Sequence, residues 1–129
     1  MTEDSDLKIF NQLFASYQER FIHFANTYVR DRAVAEDITT DSFIYYWENR
    51  RSLEQESNIP AYILTVIKHK CLNYLQHVQV REEVTEKMKK LAEWELQSRI
   101  TTLEDCNPND LFSSEAMGIV NKTLSMLPE

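Results

Sequence analysis

The sequence predicts an all-α protein, and three observations support that prediction. The 129 residues include one Gly and three Pro, too few for the repeated turns of a β-sandwich or barrel. Apolar residues recur at helical spacing along most of the chain. Hydrophobic residues make up 43% and aromatic residues 11%, enough to build a core, so global disorder is not expected. The single Gly also excludes glycine-rich phosphate loops and dinucleotide fingerprints.

The first helix is predicted from about Leu7 to Val29, because one face stays apolar over about five turns. Its apolar residues are Phe10, Leu13, Phe14, Tyr17, Phe21, Phe24, Ala25 and Tyr28. Asp31 is a suitable N-cap for a second helix that ends at about Asn49. The predicted buried side of that helix comprises Ala35, Ile38, Ser42, Phe43, Tyr46 and Trp47.

A polar loop is predicted from Arg50 to Ile59, and Pro60 fits the first turn of a third helix. That helix reaches about His77, with an extension past Arg81 left open. Its predicted buried stripe is Ile63, Ile67, Cys71 and Tyr74, widened by Leu64, Leu72 and Leu75. Its opposite, polar face holds Thr65, Lys68, His69, Asn73 and Gln76.

The rest of the chain is charged and then amphipathic. Residues 82–104 favour a partly helical linker with a thin apolar stripe of Val84, Met88 and Leu91. A turn is predicted at residues 106–110. The final segment places Met117, Val120, Leu124 and Leu127 at helical spacing.

The net charge of −7 is unevenly distributed. Residues 1–59 have a net charge of −5, residues 60–81 of +3, and residues 82–129 of −5. No acidic residue occurs between Ser57 and Arg81, the stretch that contains the third helix. A basic strip with aromatic residues on an acidic body is typical of a nucleic-acid footprint. The alternative is a solvated helix face.

Other classes of protein are not supported. No apolar run is long enough for a membrane span, and the acidic N-terminus does not match a signal peptide, so a cytoplasmic protein is expected. Cys71 and Cys106 are predicted to be reduced thiols. His69 and His77 lie about 12 Å apart along one helix and cannot share a metal ion. No enzymatic activity, metal or cofactor is predicted.

Several short motifs follow one another in a specific order. They are Phe14-x-x-Tyr17, Phe24-Ala25, Asp31-Arg32-Ala33-x-Ala35-Glu36-Asp37-Ile38, Phe43-x-x-x-Trp47 and Pro60-Ala61-Tyr62-Ile63-Leu64-Thr65-Val66-Ile67-Lys68-His69. Together, over residues 7–81, they resemble region 2 of the extracytoplasmic-function (ECF) sigma factors of bacterial RNA polymerase. The segment from Ala116, ending Leu124-x-x-Leu127-Pro128-Glu129, is similar to the opening helix of region 4. The implied division is region 2 at 1–81, a linker at 82–110 and a truncated region 4 at 111–129.

The resemblance implies that the second helix docks on the clamp helices of the largest polymerase subunit. The matching positions are Asp37, Thr40, Asp41, Ile44 and Glu48. An acidic face with an apolar centre suits a basic coiled coil. Thr40 and Asp41 depart from the Gln-Glu pair that is frequent in the family. The alternative is that these acids only solvate the helix.

The resemblance also implies promoter contacts. The loop at residues 52–59 corresponds to the loop that captures a base flipped out of the minus-ten element, whose unstacking costs a few kcal/mol per base. Tyr62 matches an aromatic residue at the junction of duplex and melted DNA, or is a core residue. Lys68 matches a phosphate-contacting position. His69 replaces a frequent Asn, and Asn73 a frequent Asp. The implied DNA-binding residues are Arg50, Arg51, Leu53, Asn58, Tyr62, Lys68, His69, Asn73, Gln76 and Arg81.

The implied function is therefore that of a sigma factor fragment, which binds the polymerase core and melts the minus-ten element. An anti-sigma partner that covers the same surfaces is expected, and no membrane partner is. The alternative is a helical protein-interaction module that does not bind DNA.

Overall fold

The computed structural model describes residues 3–53, 58–78 and 85–111, and most of these residues are helical, with no β-strand among them. The all-α prediction is confirmed. The helices are α1 (Glu3–Val29), α2 (Arg32–Asn49), α3 (Ile59–His77), α4 (Glu86–Asp105) and α5 (Pro108–Leu111), with a 3₁₀ turn at Arg50–Ser52.

The junction of α1 and α2 follows the local sequence. Arg30 adopts a left-handed conformation with φ 56° and ends α1, while its N–H still donates to the Asn26 carbonyl at 2.9 Å. Asp31 Oδ1 then accepts from the Val34 N–H at 3.3 Å. This N-cap satisfies one of the unpaired donors at the start of α2. The predicted bounds of α2 are confirmed, whereas α1 begins four residues before Leu7.

The start of α3 is set by Asn58 and Pro60. Asn58 is the N-cap and accepts from the Ala61 N–H at 3.3 Å. Pro60 lies in the first turn, where its missing N–H has no helical partner to lose. The helix ends at His77 as predicted, and Val78 follows in an extended conformation. The extension past Arg81 falls outside the described residues.

Helices α1, α2 and α3 pack against one another around one hydrophobic core. Phe43 of α2 is fully buried and lies at its centre. Its ring is 5.1 Å from that of Phe14 and 6.0 Å from that of Phe21, both on α1. Such aromatic pairs add to the stabilisation from buried area alone. Trp47 remains half-buried and packs its ring 5.4 Å from that of Phe10.

Helix α4 is more than a linker, because its C-terminal half packs against α3 and α1. Ile100 and Leu103 are buried in the same core, and Leu96 packs against it. Met88 and Leu91, the described residues of the predicted apolar stripe, are 50% and 65% exposed and do not pack into this core. Val84 falls outside the described residues. The predicted turn after α4 is instead a short connection followed by α5.

Candidate nucleic-acid and polymerase interface

The exposed face of α2 brings together the residues predicted to contact polymerase. Asp37, Thr40, Asp41, Ile44 and Glu48 are all exposed, and Ile44 is 46% exposed. With about 100° between successive helical residues, they lie within one face of the helix. Among the described residues, none of these three carboxylates forms an ion pair. The face is therefore acidic, solvated and apolar at its centre.

An open groove of about 620 Å³ lies between α2 and α3. Asp37 and Asp41 line its α2 side, and Lys70, Asn73 and His77 line its α3 side. The groove therefore joins the acidic face of α2 to the polar face of α3. Residues predicted for polymerase and for DNA thus share one continuous surface.

The turn after α2 fixes the start of the loop predicted to capture a base. The Arg50 guanidinium lies 3.7 Å from the centre of the Trp47 ring. It donates to Asp6 Oδ2 at 3.2 Å and to the Trp47 carbonyl at 2.6 Å. The side chain of Arg50 is only 13% exposed. Arg50 thus anchors the turn to α1, while its neighbour Arg51 is exposed.

The other residues predicted around this loop lie at its two ends. Leu53 is half-buried and packs against the core. Asn58 uses its side chain to cap α3. Residues 54–57 fall outside the described residues. Leu53 and Asn58 thus fix the two ends of the loop.

Tyr62 lies in a cluster of three tyrosines between α2 and α3. Its ring is nearly parallel to that of Tyr45: the ring planes differ by 22° and the ring centres are 6.4 Å apart. The buried Tyr46 meets the Tyr62 ring edge-on, also at 6.4 Å. Burial raises the pKa of the Tyr62 hydroxyl, and the neighbouring Tyr45 hydroxyl raises that pKa further. Tyr62 is half-buried, so it has both a packing role and an accessible part.

Lys68 has partners that the sequence did not reveal. Its ammonium group donates to the carbonyl oxygens of Glu104 at 3.0 Å and Cys106 at 2.6 Å. These carbonyls end α4, where a positive charge is favoured by the helix dipole. The ammonium predicted to contact phosphate therefore joins α3 to α4 in this structure.

The remaining polar residues of α3 are accessible. His69, Asn73 and Gln76 are exposed on the face away from the core. His77 Nδ1 lies 2.7 Å from the Asn73 carbonyl oxygen, so the Asn73 side chain keeps its amide for other contacts. Arg81 falls outside the described residues. The accessible surface of α3 thus offers hydrogen-bonding groups with no acidic side chain among them.

A second connection that sequence reasoning missed joins α4 to the end of α1. Arg99 donates to the Tyr28 carbonyl at 2.7 Å. Arg30, just after α1, pairs with Glu95 at 2.8 Å. The spacing of Glu95 and Arg99 predicts an ion pair within one helix. The bond from Arg99 to Tyr28 spans 71 positions, and no local sequence pattern predicts it.

Both cysteines are free thiols. Burial raises the pKa of the Cys71 thiol to about 12. Burial also raises the pKa of Cys106, although the nearby Lys68 charge opposes the change. Within the described residues there is no group of His, Cys, Asp and Glu side chains that could hold a metal ion. In the same residues no helix is long and apolar enough to cross a membrane.

Comparison with known protein families identified a match. The model of the family described as Sigma-70 region 2 matches residues 13–80, which is more than half of the chain. No curated protein and no solved structure matches. The matched range covers most of α1, all of α2 and all of α3, including the acidic face and the tyrosine cluster. The chain therefore belongs to the sigma-70 region 2 family.

Proposed function

We propose that this chain is part of an ECF-type sigma factor that binds core polymerase through α2 and melts the minus-ten element with the loop and α3. Membership of the sigma-70 region 2 family gives the chain a role in transcription initiation. Region 2 binds the polymerase core and promoter DNA, and the family is not catalytic. The ECF type and the melting mechanism go beyond the family match.

The separation of charge between α2 and α3 supports the proposal most directly. The exposed face of α2 presents Asp37, Asp41 and Glu48 around Ile44. Helix α3 has Lys68 and Lys70 and no acidic residue. Opposite charges steer association and orient partners. The acidic face is thus suited to a basic coiled coil of polymerase, and the adjacent α3 to nucleic acid.

The proposed DNA-facing residues divide into two groups. Tyr62, His69, Asn73 and Gln76 are at least partly accessible. Arg50, Leu53 and Asn58 shape the loop. The Lys68 ammonium donates to two α4 carbonyls and has one further proton for a phosphate. Arg51 and Arg81 complete the proposed set. Phosphate contacts add affinity, while base contacts add specificity.

We further propose that residues 111–129 begin region 4 and that an anti-sigma partner covers the same surfaces. The helical spacing of apolar residues in that segment supports the first point. In the proposed division, residues 1–81 are region 2 and residues 82–110 lead to region 4. Helix α4 nevertheless shares the core of the first three helices.

Charge reversal tests the docking surface. Asp37→Arg and Asp41→Arg should each abolish binding to core polymerase in a pull-down, because they place a positive charge against a basic partner. Glu93→Arg is the matched control, since Glu93 is an exposed carboxylate on α4, away from the α2 face. Wild-type binding by both α2 variants would refute the assignment.

A protein-interaction module without DNA binding is the second candidate. The exposed Met88, Leu91 and Trp94 on α4 favour it, because they present apolar side chains to solvent. The two functions differ in binding to single-stranded promoter DNA in the presence of core polymerase. A sigma factor shows steep salt dependence and prefers one short sequence, and an interaction module shows neither.

A further inference from the structure

We propose that Tyr45 of α2 forms, together with Tyr62 of α3, an aromatic platform on which one unstacked base of the melted promoter strand rests. This inference rests on the proposed function, and it extends it to a residue that neither the sequence pattern nor the family resemblance identified. The chemical class of the ligand is a single-stranded nucleobase, which is recognised by its π-face.

The geometry of the two rings is the first argument. Their planes differ by 22° and their centres are 6.4 Å apart. Parallel rings at this separation are offset, so each leaves part of its face uncovered. Tyr45 is 46% exposed and Tyr62 is half-buried. A flat apolar surface therefore reaches solvent at the junction of α2 and α3.

The support beneath the rings is the second argument. The buried Tyr46 packs edge-on against Tyr62, so the Tyr62 ring is held from the core side. Tyr62 also lies in the first turn of α3, which Asn58 caps. An aromatic surface that is already ordered loses little conformational freedom when a base stacks on it.

The position of Tyr45 on α2 favours DNA over polymerase. Ile44 is at the centre of the acidic face, and Tyr45 is rotated from it by about 100°. That rotation places the Tyr45 ring against Tyr62 of α3, a helix that has no acidic residue, while Asp41 and Glu48 lie one turn away on α2. The platform therefore lies on the α3 side of the acidic face.

The test is a cycle of protein and DNA changes with reconstituted holoenzyme at fixed salt. The DNA is a fork junction whose single-stranded part is first selected from a randomised library. An abasic site is then introduced at each single-stranded position in turn. Tyr45→Leu keeps an apolar side chain and removes the π-face, while Tyr45→Phe keeps the ring. Trp94→Leu is the matched control, because Trp94 is an exposed aromatic residue on α4.

For the wild type, one abasic position should weaken binding by about five- to a hundredfold, the range expected for one stacked base. Tyr45→Leu should weaken binding to intact DNA and should reduce the further loss at that position, since the base then keeps only its contact with Tyr62. Tyr45→Phe should remain within about threefold of the wild type, and Trp94→Leu should match it.

Three results would overturn the proposal. One is a Tyr45→Leu variant whose abasic profile equals that of the wild type. Another is a variant that weakens core binding alone, which would place Tyr45 in the polymerase contact. The third is a Tyr45→Leu loss that is equal at every position and accompanied by a lower melting temperature, which would make the residue structural. A wild-type holoenzyme that prefers no library sequence would instead refute the proposed function on which the platform rests.

Discussion

Replacing Leu103 by Ala tests whether α4 belongs to the same folded unit as α1, α2 and α3. The Leu103 side chain is fully buried in the core that these helices share. Removing a buried Leu side chain to Cβ costs about 2–5 kcal/mol through lost burial and the cavity left behind. Against a typical free energy of unfolding of about 5–15 kcal/mol, that is a large fraction. Leu91→Ala is the matched control, because Leu91 lies on the same helix and is 65% exposed.

Urea unfolding followed by circular dichroism measures the effect. With an m-value of about 2 kcal/mol/M, Leu103→Ala should lower the midpoint by about 1–2.5 M at unchanged m. The Leu91→Ala midpoint should stay within about 0.25 M of the wild type, since exposed substitutions change stability by less than about 0.5 kcal/mol. Equal midpoints for the two variants would show that α4 does not share the core, and the reasoning from burial would fail.

The remaining predictions concern Lys68 and the thiols. Lys68→Met should lower the free energy of unfolding by about 1–2 kcal/mol in the same assay, because the Glu104 and Cys106 carbonyls lose a charged donor. If the same variant also lowers the slope of log affinity against log salt concentration by about one in holoenzyme–DNA binding, the ammonium also contacts phosphate. At pH 8 a thiol reagent should modify Cys106 well before Cys71, whose pKa is raised to about 12 by burial, and Cys106→Ser should remove the fast reaction. Early modification of Cys71 would contradict its burial. The pKa of Cys71 is higher in the folded than in the unfolded chain. Its contribution to the free energy of unfolding should therefore be complete below about pH 9 and should decline as pH rises towards 12.

The sequence predicts α2 and α3 closely because their signals are local. Asp31 and Pro60 mark their starts, and the apolar spacing shows which side is buried. Helix α4 is different, because it has two sets of apolar residues. The N-terminal set includes Met88 and Leu91, and the C-terminal set includes Ile100 and Leu103. Only the position of α3 decides which set is buried, and that is a tertiary property.

The contacts of the cations in the candidate site also could not be predicted from the sequence. Arg50 and Lys68 look like accessible positive charges in the sequence. In the fold, Arg50 pairs with a residue 44 positions away, and Lys68 donates to carbonyls 36 and 38 positions away. No local pattern encodes such partners. The contact between Tyr45 and Tyr62 has no local signal either, since only the packing of α2 on α3 brings the two rings together.

The contacts of α4 define which surface of region 2 remains for DNA. Lys68 holds the end of α4 against α3, and Arg99 holds α4 against the end of α1. With Lys68 engaged, the accessible cations described on and next to the acid-free stretch reduce to Lys70 and Arg51. Each phosphate contact that is lost lowers the sequence-independent part of the affinity. Under the proposed function, recognition of a melted strand then depends more on stacking by the tyrosine pair and on hydrogen bonding by the amide groups of α3.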